Sequence, residues 1–132
     1  MARIVFDTSV LVTAANKERR YVEVKEGFEK VRNGEDVGLI STATVCELFA
    51  KFTKGDDRTI AVKALDYLKR SCFVVLDVNE EIAKLAGSLK AKFPQLSTAD
   101  SIIMSTAYVN NAKLYTFDKG FYGIGGVDII GI

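Results

Sequence analysis

The stretch Ile4-Val5-Phe6-Asp7-Thr8-Ser9-Val10-Leu11-Val12 limits the fold more than any other. Three apolar residues run into an acid, two small hydroxyl residues follow, and apolar residues resume. A short continuous apolar run that stops at a polar group fits a strand buried on both faces of a parallel sheet. Asp7 then stands where that strand ends and a helix begins. In open α/β sheets this edge is where ligands bind. Asp is also a favoured helix N-cap, so Asp7 alone has two readings. They separate only if other acids reach the same edge.

The pattern continues along the chain. Short apolar runs at 3–7, 37–40, 72–76, 113–117 and 127–130 predict five strands. Helical periodicity predicts helices over 9–16, 21–33, 43–53, 58–70, 80–92 and 98–111. Val24, Phe28 and Val31 share one helix face, and Asn33-Gly34 ends that helix. Val45, Leu48, Phe49 and Phe52 line the next, and Ile60, Ala61, Ala64, Leu65 and Leu68 are expected to face inward from the one after. The helix over 98–111 is apolar nearly all round, so it is expected to be buried. Strands alternating with helices give an α/β chain: a three-layer α/β/α sandwich around a central, mainly parallel five-stranded sheet. Two helices lie between the third and fourth strands, joined only by Phe93-Pro94-Gln95-Leu96. If both ran the full depth of the sheet, the second would start at the wrong edge. The helix over 80–92 is therefore expected to lie across the end of the sheet.

A chain of 132 residues, 48% hydrophobic and 27% charged, is expected to form one domain with a substantial core. The net charge of +1 excludes a strongly basic nucleic-acid module, although local patches stay open. No run is long enough to span a membrane, and Asp7 cuts the first apolar run short of a signal peptide. A cytoplasmic setting is expected. Cys46 and Cys72 sit among apolar neighbours without metal spacing, and read as buried thiols in a reducing compartment. The chain has no histidine. That removes Ser-His-Asp and Cys-His nucleophiles, histidine bases and histidine metal ligands together. Chemistry here falls to carboxylates, hydroxyls, lysines or a hard cation.

Three further acids compete with plain structural roles. Thr44-Val45-Cys46-Glu47 matches a capping box, and Glu47 lies opposite the apolar stripe of its helix, as a solvated charge would. Ser97-Thr98-Ala99-Asp100 matches a capping box too, but Ile103, Met104 and Ala107 put Asp100 on a core-facing side. Asp118 follows the fourth strand as Asp7 follows the first, or is only a turn residue before Lys119-Gly120. Thr116 could orient it. Asp77 is a weaker candidate. In a parallel sheet Asp7 and Asp118 fall at the carboxyl edge, the helix bearing Glu47 starts there, and the helix bearing Asp100 joins them if it returns directly to the fourth strand. Like charges there raise one another's pKa, and a hard divalent cation, Mg²⁺ or Mn²⁺, relieves the conflict. Such an ion can activate water against a phosphodiester.

At these residues the chain resembles the PIN domains of VapC-type toxin ribonucleases. Asp7-Thr8-Ser9 after the first strand, Glu47 in the third helix, Thr98-Ala99-Asp100-Ser101-Ile102-Ile103 and Tyr115-Thr116-Phe117-Asp118-Lys119-Gly120-Phe121 carry the likeness. It implies a Mg²⁺- or Mn²⁺-dependent endoribonuclease with Asp7, Glu47, Asp100 and Asp118 as its acidic quartet. Thr116 and Ser9 are then supporting hydroxyls. A homodimer and a cognate antitoxin are implied as partners.

An RNA substrate calls for a basic rim around acids. Arg19, Arg20, Lys51 and Lys119 are candidates, with Lys17, Lys54 and Arg58, and each is equally readable as an ordinary solvated charge. Phe121 or Tyr122 could stack a base, or belong to the core. Two other readings stand beside the nuclease. An aspartyl-phosphate phosphatase would use Asp7 as nucleophile, but usually has a second acid two residues on, where this chain has Ser9. A non-catalytic PIN-like domain would bind RNA or protein without cutting.

Overall fold

The computed structural model describes all 132 residues. Five strands form one sheet in the order β3-β2-β1-β4-β5, and every neighbouring pair is parallel. They are β1 (Ala2–Phe6), β2 (Asp36–Ser41), β3 (Val74–Leu76), β4 (Lys113–Tyr115) and β5 (Ile129–Ile130). The helices are α1 (Thr8–Asn16), α2 (Tyr21–Arg32), α3 (Thr42–Phe52), α4 (Thr59–Arg70), α5 (Glu80–Lys92) and α6 (Thr98–Val109). A short 3₁₀ turn, Lys119–Phe121, follows β4.

Alternation along the central strands divides the core into two layers. Ile4, Phe6, Ile40 and Tyr115 face α1, α2, α3 and α4, where they meet Leu11, Phe28, Leu48 and Leu68. Val5, Leu39 and Leu114 face the other way, toward Ile103, Met104 and Ala107 of α6. Phe6 anchors the first layer, with edge-on contacts to Phe73 at 4.8 Å, Tyr115 at 5.3 Å and Phe28 at 5.9 Å between ring centres. Burying one such ring contributes roughly 1.5–3 kcal/mol. Gly38 of β2 is required by this packing, because a Cβ there would lie 2.8 Å from both Phe73 and Val31.

The α/β expectation holds, with differences where local chemistry competes. The third strand is shorter than 72–76, because Cys72 takes a left-handed turn (φ 73°) that swings Phe73 into the core before Val74 pairs. Both cysteines are exposed, not buried. Cys72 rides the outside of that turn, and Cys46 sits on the outer face of α3. Ile60 is 50% exposed, not inward, because it lies in the first turn of α4, where Ala61 takes the buried position. The last two strands are trimmed to their paired residues, and α6 ends at Val109, where Asn110 caps it and Asn111 turns left-handed (φ 54°). α6 is buried over most of its length, as expected. α5 packs chiefly on α6. Its start is held near α3, where the Val78 N–H donates to Thr42 Oγ1 at 3.2 Å.

Candidate active site

Asp7 follows β1 and occupies the N-cap position of α1 with extended backbone (φ −71°, ψ 154°), yet its side chain caps nothing. Oδ2 instead accepts from Ser9 Oγ at 2.7 Å and from Thr116 Oγ1 at 2.7 Å. The Asp7 N–H donates to the Tyr115 carbonyl at 2.9 Å, so the β1–β4 pairing delivers this carboxylate to the sheet edge. Asp7 is only 3% exposed. No lysine or arginine pairs with it, since the ion pairs are Arg20–Glu23, Lys84–Glu80 and Lys113–Asp128. A buried carboxylate is costly unless hydrogen-bonded or met by a cation. Here two hydroxyls satisfy one oxygen and leave Oδ1 without a protein donor.

Thr116 is fully buried and joins Asp7 to the loop after β4. Its Oγ1 donates to Asp7 and accepts from the Asp118 N–H at 3.0 Å, so it orients the Asp118 backbone and the Asp7 side chain together. Ser9 Oγ accepts from the Phe117 N–H at 3.1 Å, a second tie between α1 and the same loop. Asp118 itself is exposed, and Oδ1 accepts from the Gly120 N–H at 2.8 Å. Its turn role is real and engages only Oδ1.

Glu47 is not the partner in a capping box. Ser41 caps α3 through the Ala43 N–H at 3.0 Å, which puts Thr44 inside the helix. Glu47 is half-buried, not fully solvated, and Oε1 accepts from Thr8 Oγ1 at 2.6 Å. Thr44 Oγ1 lies 3.2 Å from the same hydroxyl. Asp100 does sit in a cap, with Ser97 Oγ accepting from its N–H at 3.0 Å, and it is also half-buried in the first turn of α6.

Asp100 reports on the whole cluster. Its pKa is pushed from 3.8 up to about 6, first by burial, then by repulsion from Asp7, with weaker repulsion from Asp118 and Glu47 and an opposing pull from Ser97. The four acids, separate in sequence, therefore share one electrostatic neighbourhood. Each is held by neutral donors, so their charge is not cancelled. Asp77 is not among the groups acting on Asp100.

The donor set is all carboxylate oxygen, which suits a hard divalent cation. No three acidic or sulfur side chains are gathered into a ready-made cage. An ion such as Mg²⁺, which keeps several of its waters, needs only one or two direct carboxylates. On that count the residues fit.

Of the basic residues expected to form a rim, Arg19, Lys51 and Lys119 are exposed and make no ion pair. Arg20 is different. Its guanidinium is bidentate on Glu23, donates to the Gly131 carbonyl at 2.7 Å and stacks on Phe117 at 3.9 Å. These contacts brace the structure and engage three of its five N–H groups. Phe121 is core, whereas Tyr122 is 61% exposed. Thr8 and Thr44 carry no functional role in the sequence reading. The signal for Thr8 was a second hydroxyl beside an acid at a strand end, a position that faces across to the next helix.

A family model for the PIN domain matches residues 4–127. The chain belongs to the PIN domain family. This PIN domain is 28% identical over 144 aligned positions to Ribonuclease VapC2 of Methanocaldococcus jannaschii, covering 98% of this chain and 94% of the relative. Among solved structures, VapBC2 from Rickettsia felis, bound to a DNA fragment from its promoter, superposes with a TM-score of 0.78 at 22% identity, covering 96% of each chain. Mycobacterium tuberculosis VapC20, described as a sarcin-ricin loop cleaving toxin, superposes with a TM-score of 0.74 at 18% identity, covering 95% of this chain and 97% of its own.

Proposed function

We propose that this PIN domain is a metal-dependent endoribonuclease, the toxin of a toxin–antitoxin pair, using Mg²⁺ or Mn²⁺. The observation that carries the reading is Asp100, lifted to about 6 by burial and by three carboxylates with no basic side chain paired to any of them. Asp7, Glu47, Asp100 and Asp118 would hold the ion, which supplies an activated water and a clamp on the scissile phosphate when bound. Thr116 and Ser9 keep Asp7 oriented without neutralising it. Asp100 at about 6 is mostly ionised at pH 7.5, so it would be available as a ligand to the ion. Arg19, Lys51 and Lys119 supply the basic rim that draws RNA toward an acidic pocket, and Tyr122 offers a face for a base.

The phosphatase reading loses support from the same geometry. Ser9 donates to Asp7 where a second acid would stand. The similarity to the Rickettsia felis VapBC2 structure supports a cognate antitoxin as partner. An apolar groove of about 320 Å³ between α1, α2, α3 and α4, lined by Leu11, Phe28, Leu48, Phe52 and Tyr67, is a surface such a partner could cover. A homodimer belongs to the same proposal and is tested by light scattering. No helix is long and apolar enough to cross a membrane.

The test is cleavage of a mixed RNA pool with Mn²⁺, wild type beside Asp7→Asn. Cuts by the wild type that vanish in the variant support the reading. RNA binding without cuts, equal in both proteins, would establish the non-catalytic alternative.

A further inference from the structure

The four acids are not held alike. Asp7 accepts from Ser9, two residues on, and from Thr116 on the loop after β4, while Asp118 accepts from Gly120 in its own turn. In Asp100 the backbone N–H donates to Ser97 Oγ in the cap of its helix. Glu47 differs. Its side chain is the longest of the four, with the most rotamers to lose. The only side-chain bond it receives comes from Thr8, 39 residues away on another element.

Thr8 is free for this task. It is the first residue of α1, and its hydroxyl serves neither its own helix nor Asp7. The bond to Glu47 Oε1 is short at 2.6 Å, as expected for a hydroxyl meeting a carboxylate. Thr44, fully buried one turn before Glu47, lies beside the same hydroxyl and limits where it can point.

We infer that Thr8 is the positioning residue for Glu47, fixing its carboxylate toward the cluster while leaving its charge available to a divalent cation. A lysine or arginine in this place would fix Glu47 equally well and cancel the charge. A hydroxyl fixes it and cancels nothing. Adjacent residues thus divide the labour: Asp7 supplies a carboxylate, and Thr8 sets another from the opposite helix. The inference rests on the metal-dependent reading of the site.

The experiment compares wild type, Thr8→Val, Thr8→Ser and Glu47→Gln in RNA-free protein. Calorimetry gives the Mn²⁺ affinity, and circular dichroism checks that each variant is folded. Cleavage is followed against Mn²⁺ concentration. Thr8→Val keeps the shape and removes the donor. It is expected to weaken Mn²⁺ binding about tenfold, the lower end for loss of a group supporting a ligand. Half-saturating Mn²⁺ for cleavage should rise by the same factor, with kcat largely restored at saturating metal. Thr8→Ser should stay near wild type. Folded Thr8→Val with wild-type Mn²⁺ affinity overturns the inference and spares the nuclease reading. Thr8→Ser as weak as Thr8→Val also overturns it, since packing and not the hydroxyl would then matter. Wild type that binds no Mn²⁺, with Glu47→Gln silent, overturns both.

Discussion

Replacing Asp100 by Asn should make the metal-free protein more stable at pH 7.5 while ending its activity. The magnitude follows from the raised pKa. A rise from 3.8 to about 6 means that folding disfavours the ionised carboxyl. At 1.36 kcal/mol per unit the full shift is worth about 3 kcal/mol. Asp100 is only half-buried, so water screens the effect and about half of that is a fair figure. An acid in the first turn of a helix is also favoured by the helix dipole, which Asn gives up at roughly 0.5 kcal/mol. Repulsion and burial outweigh the dipole, and Asp100→Asn should gain about 1 kcal/mol, or roughly 3–4 °C in Tm. The sign with pH is fixed. Between 3.8 and about 6 the folded state holds the proton more tightly, so wild-type stability falls as pH rises through that window. The advantage of the variant should be full above pH 6 and vanish near pH 4. The assay is thermal unfolding in chelator from pH 4 to 8, both proteins side by side. An Asn variant that melts at or below the wild type at pH 7.5, or a difference that does not change with pH, would refute the reasoning.

Four other outcomes are expected. Asp7→Asn should abolish Mn²⁺-dependent cleavage while the far-ultraviolet spectrum stays native. Thr116→Val removes a donor from a buried carboxylate, and should cost about 1–3 kcal/mol in urea unfolding and 10–100-fold in cleavage rate. Gly38→Ala, forced against Phe73 and Val31, should lose about 1–3 kcal/mol without changing Mn²⁺ affinity. Saturating Mn²⁺ should raise the wild-type Tm over the chelated protein, because the ion binds only the folded chain, and Asp7→Asn should lose most of that gain.

The strands were legible because burial on both faces writes itself as a continuous apolar run, clearest at Ile4-Val5-Phe6. Their ends were not, since pairing stops where partners run out, and the partner of β5 is only Leu114-Tyr115. Asp100 was legible as an acid on a core-facing side. Glu47 was obscured because Thr44-Val45-Cys46-Glu47 imitates a cap, and only the fold shows that Ser41 caps the helix instead. Cys46 and Cys72 misled because apolar neighbours in sequence need not be neighbours in space. Ile60 misled because the packed face of α4 begins one residue later, at Ala61. Arg20 looked like a free charge, and nothing local foretold that Phe117 and Gly131 would claim it.

The topology also sets when the pocket can exist. β1 is made first yet lies at the centre of the sheet, and Asp7 waits for Thr116, 109 residues later, before its carboxylate is held. During synthesis the first acid leaves the ribosome well before the last, and a stalled or truncated chain lacks the hydroxyl that secures it. The acid cluster of this PIN domain therefore closes only once β4 has paired with β1 and brought Thr116 to Asp7.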